Sequence, residues 1–320
     1  MKLRTVYTSY GNRNSKLKST LGSAATEWHD PNFEYDEGVE PLVVPEKKTE
    51  FSIFDLKPPY PAPSVIKLPK RDPFGWPHGE EYTPLLKART PSMATRAVMP
   101  GFKMERLHQA LSTAELRVLL KLAFHPGVLD FREQYGIVDE KAFWRAELNG
   151  MRMQRSKLMT IDVVVTYFCP RELKLKYHGI SIKARGYVPD ETEQRREERE
   201  RKAMEDRGWT WELIIGGEVS MVEFGNLKLL MGFAAHHNLS SLYSVAESFA
   251  KVVIPYSNKG SLDAILLRVA WDIGISLDDA YVRFSAAVAY GFLTLDHRYD
   301  LRPAHRLELV PARRSASKGA

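Results

Sequence analysis

Cysteine is almost missing from this chain: Cys169 is the single one in 320 residues. That excludes an intrachain disulfide framework and a cysteine-built zinc site, and it fits a reducing compartment. Long hydrophobic runs are missing too. No stretch approaches the roughly 18 apolar residues that a membrane-spanning helix requires. The first residues, Met1, Lys2, Leu3, Arg4 and Thr5, lack the apolar core of a signal peptide. The expectation is a cytoplasmic protein with no membrane association. Strong charge imbalance is also absent. Lysine and arginine number 46 against 40 acidic residues, a net +6. Such a surplus is compatible with nucleic acid but does not identify it.

Proline is plentiful but unevenly spread, with 13 of the 19 residues falling before position 101. Proline fixes its own φ and biases the residue before it away from helix, so residues 58–63 must be extended. Residues 1–100 therefore read as a proline-rich N-terminal extension. Its isolated aromatics (Trp28, Phe33, Phe51, Phe54, Phe74, Trp76) follow neither helical nor strand spacing. Two readings stand side by side. One is a flexible arm without a core; the other is a segment that wraps the following domain or docks on a partner through those aromatics.

The remainder divides into an α/β domain over residues 101–216, an α-helical domain over 217–310 and a basic tail over 311–320. In the first, residues 111–124 set Leu116, Leu119, Leu120 and Ala123 on one helical face, and Pro126 and Gly127 stop the helix. Ser112 precedes Glu115 by three residues, a capping-box spacing that gives Glu115 a purely structural reading. A strand is expected over 128–138, followed by a basic connection over 139–158. Strands over 160–167 and 179–183 come next, joined by a loop. A charged helix over 190–208, laced by Glu191–Arg195, Glu197–Arg201 and Glu198–Lys202 and ended by Gly208, leads to a last strand over 209–215.

The two middle strands carry the chemical signal. Both are short, β-branched and apolar, the pattern of strands in a covered sheet. Each holds one charged residue, Asp162 in the first and Lys183 in the second. A carboxylate and an ammonium on neighbouring strands suit a metal-dependent phosphodiesterase, in which the acid holds Mg²⁺ and the lysine orients the attacking water. A structural Asp–Lys pair across the sheet is the competing account.

After residue 217 the spacing predicts helices over 221–235, 239–252, 261–273 and 276–290. A β-hairpin over 292–298 and 305–310 follows. Three helices and a hairpin is winged-helix order. The last helix offers only Arg283 as a base, which favours protein docking over major-groove reading. His236 and His237 sit in a turn without a third ligand and read as loop.

The order helix with Glu115, strand, strand with Asp162, strand with Lys183, helix, strand resembles the restriction-endonuclease-like nucleases. A narrower similarity runs through four places. They are Glu115 leading into His125, Pro126, Gly127, Phe131 and Gln134; Thr160, Ile161 and Asp162; Ile180, Ser181, Ile182 and Lys183; and residues 199–211 up to Trp211. In order and spacing these resemble the motifs of the TnsA family, over roughly residues 107–310.

The resemblance implies a restriction-endonuclease-like catalytic core followed by a winged-helix domain. It implies an endonuclease subunit of a heteromeric transposase that hydrolyses the 5′-strand phosphodiester at transposon ends in double-stranded DNA. A TnsB-like DDE transposase would cut the 3′ strand, and a TnsC-like AAA+ regulator would dock on the C-terminal domain. Glu115 and Asp162 would hold Mg²⁺, for which Mn²⁺ would substitute, together with the Ile182 carbonyl. Lys183 would hold the water. Glu200 matches a helix glutamate that approaches a second metal, against the reading of one more solvated charge, and Gln134 would line the site. Ser181 departs from the pattern, since many relatives have Gln or Glu there. A stand-alone restriction or repair nuclease of the same fold, and a non-catalytic scaffold, are the alternatives.

Overall fold

The structure, a computed structural model, describes residues 51–86, 96–138, 140–151 and 158–310. Of these, residues 51–138 and 158–310 lie in one compact unit, and residues 140–151 belong to another.

In chain order the first unit begins with a short antiparallel pair, β1 (Ala97–Pro100) and β2 (Leu107–Ala110). Helix α1 (Thr113–Phe124) follows, and Ser112 caps it by accepting the Glu115 N–H at 3.1 Å. Strand β3 (Val128–Val138) then enters the main sheet. The interval after it departs from the expected connection, because residues 140–148 form helix α2 (Glu140–Leu148). Its run of Glu, Lys, Ala, Arg and Leu is rich in strong helix formers. Arg152, Met153, Gln154 and Arg155, the basic part of the expected connection, lie outside the described residues.

Strands β4 (Leu158–Cys169) and β5 (Lys174–Lys183) form a long hairpin. The turn is shorter than expected, because Lys174–His178 extend β5 and pair with Cys169–Val165. Helix α3 (Glu191–Glu205) then carries the chain over the sheet to β6 (Thr210–Ile215), which joins β5 in parallel. A parallel neighbour requires such a crossover. The sheet order is β3-β4-β5-β6, antiparallel except for its last pair. Val163, Val164, Val165 and Ile180 are fully buried, so the sheet is covered on both faces.

Covering β3 falls to the proline-rich segment. An edge strand offers unpaired backbone groups, and here residues 72–85 lie along it. Leu85 N–H donates to the Gln134 carbonyl at 3.3 Å, the Tyr82 hydroxyl to the Glu133 carbonyl at 2.9 Å, and Gly79 N–H to Asp130 Oδ2 at 3.1 Å. Asp72 accepts from Arg132 Nη1 at 2.6 Å and from the Tyr135 hydroxyl at 2.7 Å, and Arg132 is fully buried. Farther upstream Ile53 is fully buried, and its N–H reaches Glu212 Oε1 at 3.1 Å. The described part of the extension therefore wraps its own domain.

Four helices complete the unit: α4 (Met221–Ala234), α5 (Tyr243–Val253), α6 (Leu262–Ile273) and α7 (Leu277–Ala289). Helix α4 packs on α1, where Lys121 pairs with Glu223 at 3.0 Å and the Arg117 guanidinium lies over the Phe224 ring. In place of the expected hairpin strands, Asp296 N–H donates to the Glu308 carbonyl and Val310 N–H to the Thr294 carbonyl. Leu295 and Leu309 form an isolated bridge. No helix among the described residues is long and apolar enough to cross a membrane.

Candidate active site

The candidate residues gather where β4 and β5 part. Their ladder is regular from Cys169↔Lys174 to Val163↔Ile180. One residue farther, Asp162 Oδ2 accepts the Ile182 N–H at 2.7 Å. A side chain thus takes the acceptor role that strand backbone held before it. N–H and C=O of one residue point to the same side of a strand, so the Ile182 carbonyl also faces this gap. The Asp162 carboxyl is pushed up to about 7, first by burial and then by the nearby charges of Glu115 and Glu200; the Ile182 N–H and Arg196 pull it the other way.

Across β4, Gln134 stands opposite Asp162 between the pairs Glu133↔Val163 and Tyr135↔Ile161. Its φ of 50° is in the left-handed region, which is costly for a residue with a side chain. One consequence is visible beside it. Arg132 and Tyr135, three apart, both reach Asp72, so the alternation of faces along β3 is interrupted at Gln134. Gln134 itself is buried, and its Nε2 donates to Glu115 Oε2 at 3.3 Å.

Glu115 sits in the first turn of α1 and serves two ends. Its Oε2 accepts the Leu111 N–H at 3.0 Å, and its Oε1 accepts the Ser112 hydroxyl at 3.3 Å. The capping role expected from the spacing is therefore present, with Leu111 as the backbone donor. The same carboxyl acts on Asp162, and burial raises its own pKa above the ordinary range. Capping and site membership coexist.

Glu200 is drawn in from the other side. Gly179 lets α3 approach β5: a Cβ there would stand 2.9 Å from Met204 Sδ. The close approach buries Glu200 and Met204 together, one turn apart on the inner face of α3. Glu200 Oε2 accepts the Ser181 hydroxyl at 2.5 Å and Oε1 accepts Arg196 Nε at 2.8 Å. Trp211 Nε1 donates to Ser181 Oγ at 3.1 Å. Arg196 is the residue here that sequence reasoning missed. On a helix of alternating charges, an i,i+4 pair with Glu200 looks like its exposed neighbours.

Lys183 lies two residues beyond Ser181 on β5, half-buried, with Nζ 4.9 Å from the centroid of the Tyr187 ring. No ion pair joins it to Asp162 or to any other carboxylate among the described residues, so the structural Asp–Lys pair does not form. Also among the described residues, no group of three or more His, Cys, Asp or Glu side chains is placed to hold one metal ion. The donor set is two carboxylates and a main-chain carbonyl, all hard oxygens of the kind Mg²⁺ takes.

A mixed α/β protein with one buried and two part-buried acids at its sheet, and a lysine on the adjoining strand, is the class these features define, and it is compatible with a nuclease fold. No protein-family model matches the chain. Over 222 residues it is 23% identical to the transposon Tn7 transposition protein TnsA of Escherichia coli, a match spanning 68% of this chain and 80% of that protein. The likeness is distant and marks a TnsA-like relationship.

Proposed function

We propose that the protein is a metal-dependent DNA endonuclease subunit of a transposase, hydrolysing the phosphodiester at the 5′ ends of a transposon. The observation that carries the reading is Asp162. It sits in the gap between two strands, against the Ile182 N–H, with two further acids acting on it. Such a cluster is costly without a cation, because like charges in a partly desolvated site repel one another. Its oxygens suit a divalent ion. Glu115, Asp162 and the Ile182 carbonyl would hold it.

Bound there, Mg²⁺ supplies charge stabilisation to the pentavalent phosphorus transition state. The chain's own groups do the rest. Asp162 must be ionised to act as a ligand, so ligand strength rises as the pH passes about 7. Lys183, without a carboxylate partner among the described residues, keeps its ammonium available to orient water and to balance charge on the phosphate. Gln134 fixes Glu115 from the sheet side.

The TnsA likeness supports the transposition context. Double-stranded DNA at the transposon end would be the substrate, and a TnsB-like DDE transposase would cut the opposite strand. A TnsC-like AAA+ regulator would dock on helices α4–α7, a winged-helix module in this reading. Glu115 as a mere cap is the observation on the side of a non-catalytic scaffold. One experiment decides between them. The full chain, the DDE partner and end-bearing DNA in Mg²⁺ should give 5′-strand nicks that Asp162→Asn abolishes. Nicking at the wild-type rate by this variant would end the enzyme reading.

A further inference from the structure

We infer that Arg196, carried on the buried Glu200, is the phosphate-binding residue of this site and supplies the positive charge that a second metal ion would otherwise provide. The inference rests on the nuclease reading and deepens it. Glu200 is the residue that family resemblance would assign to a second ion, yet its charge is already answered by a cation, whereas Glu115 accepts from Leu111 N–H, the Ser112 hydroxyl and Gln134, all neutral. Oε1 accepts Arg196 Nε at 2.8 Å and Oε2 accepts the Ser181 hydroxyl at 2.5 Å. What is left for a metal is Glu115, Asp162 and the Ile182 carbonyl, one ion's share.

The ion pair is not an ordinary helix-surface pair. The Glu200 side chain is 3% exposed while that of Arg196 is 49% exposed. The carboxylate is thus fixed at depth by the sheet, through Ser181 and Trp211. Arginine has five N–H donors in a planar fork; Nε is spent on Glu200, which aims the guanidinium and leaves its outer edge toward solvent. Through Glu200 the guanidinium is tied to Ser181, the residue next to Ile182, whose N–H is bonded to Asp162, and the charges of Arg196 and Asp162 act on one another. A positive, half-exposed fork held rigidly beside a metal ligand is the arrangement that takes a phosphate oxygen bidentately.

Two measurements on the full chain test this. Titration calorimetry with thymidine 3′,5′-bisphosphate in saturating Ca²⁺ compares the wild type with Arg196→Gln and Arg196→Lys. The Gln variant should bind the probe at least about 10-fold more weakly, and the Lys variant should fall between, keeping the charge but losing the fork. Electron paramagnetic resonance should count one Mn²⁺ per wild-type chain and one in Arg196→Gln. Thermal unfolding shows whether each variant is folded, and Arg196→Lys carries the comparison if Arg196→Gln is not. Two Mn²⁺ per wild-type chain would overturn the assignment. So would unchanged bisphosphate affinity in both variants while the wild type binds Mn²⁺ and probe; either result leaves the nuclease reading standing. Wild-type protein that binds neither Mn²⁺ nor the bisphosphate would overturn both.

Discussion

Replacing Asp162 by Asn should stabilise the metal-free protein above neutral pH while abolishing nicking. In the folded chain the carboxyl titrates at about 7 against the ordinary 3.8. Between those values the folded state binds a proton that the unfolded state has released. Stability from that proton is therefore complete below pH 3.8 and is lost as the pH rises through about 7. At about 1.4 kcal/mol per pH unit, the interval amounts to about 4 kcal/mol, an upper bound because the group is half-buried and coupled to Glu115 and Glu200. For a unit of this size each kcal/mol moves the melting temperature by about 2–4 °C. Asn keeps an acceptor for the Ile182 N–H, so the variant removes the charge without removing the hydrogen bond.

Thermal unfolding in EDTA at pH 5, 6, 7 and 8 reads this directly. The wild type should lose stability across the series relative to Asp162→Asn, the gap being smallest at pH 5 and reaching roughly 5–10 °C at pH 8. Adding Mg²⁺ should raise the wild-type curve at pH 8 and leave the variant's unchanged, since only the wild type has the ligand. A variant less stable than wild type at pH 8, with a parallel pH slope, would show that Asp162 is not held under repulsion. The metal-site argument would then fall.

Lys183→Ala should reduce nicking by about 10²-fold or more while changing stability by no more than about 0.5 kcal/mol, because no ion pair among the described residues depends on it; urea unfolding and a nicking assay together check this. Asp72→Ala should cost about 3–5 kcal/mol in urea unfolding, since it strands the fully buried Arg132. Gly179→Ala should cost about 1–3 kcal/mol by pressing on Met204. It should also slow nicking because Glu200 rides on the same helix, and a variant as active and stable as wild type would refute the close-approach argument. Trp271 is 86% exposed on α6, so Trp271→Ser should leave the melting temperature unchanged and, on the docking proposed above, weaken capture of a TnsC-like AAA+ protein. Undiminished capture would place the contact elsewhere.

The parts of this structure that periodicity controls were readable in the sequence. Helices α1, α4, α6 and α7 begin within a few residues of their expected starts, because Ser112, Ser220, Ser261 and Ser276 cap them ahead of apolar faces. Asp162 stood out because a lone charge in a β-branched run needs a reason. What escaped reading is what periodicity does not encode. The proline-rich segment is held by contacts between residues far apart in sequence, such as Asp72 to Arg132, 60 positions on, and the Ile53 N–H to Glu212, 159 positions on. The first half of β5 was read as loop, although Leu175 and Tyr177 alternate with Lys174 and Lys176. The left-handed Gln134 has no sequence mark at all.

Ser181 shows how one departure from a family pattern can be paid for by its neighbours. The residue is buried, donates to Glu200 and accepts from Trp211. A Gln or Glu there would extend into the space that the Glu200 carboxylate now fills. With Ser the space goes to Glu200 instead, and a carboxylate at that depth needs a cation within reach. Arg196, one turn earlier on α3, is that cation. Gly179, two residues before Ser181 on the same face of β5, admits the helix that carries both. Small residues on the strand and an Arg–Glu pair on the helix are therefore parts of a single arrangement. Changing Ser181 to Gln should displace Glu200 and Arg196 together, while leaving Asp162 and its bond to the Ile182 N–H in place.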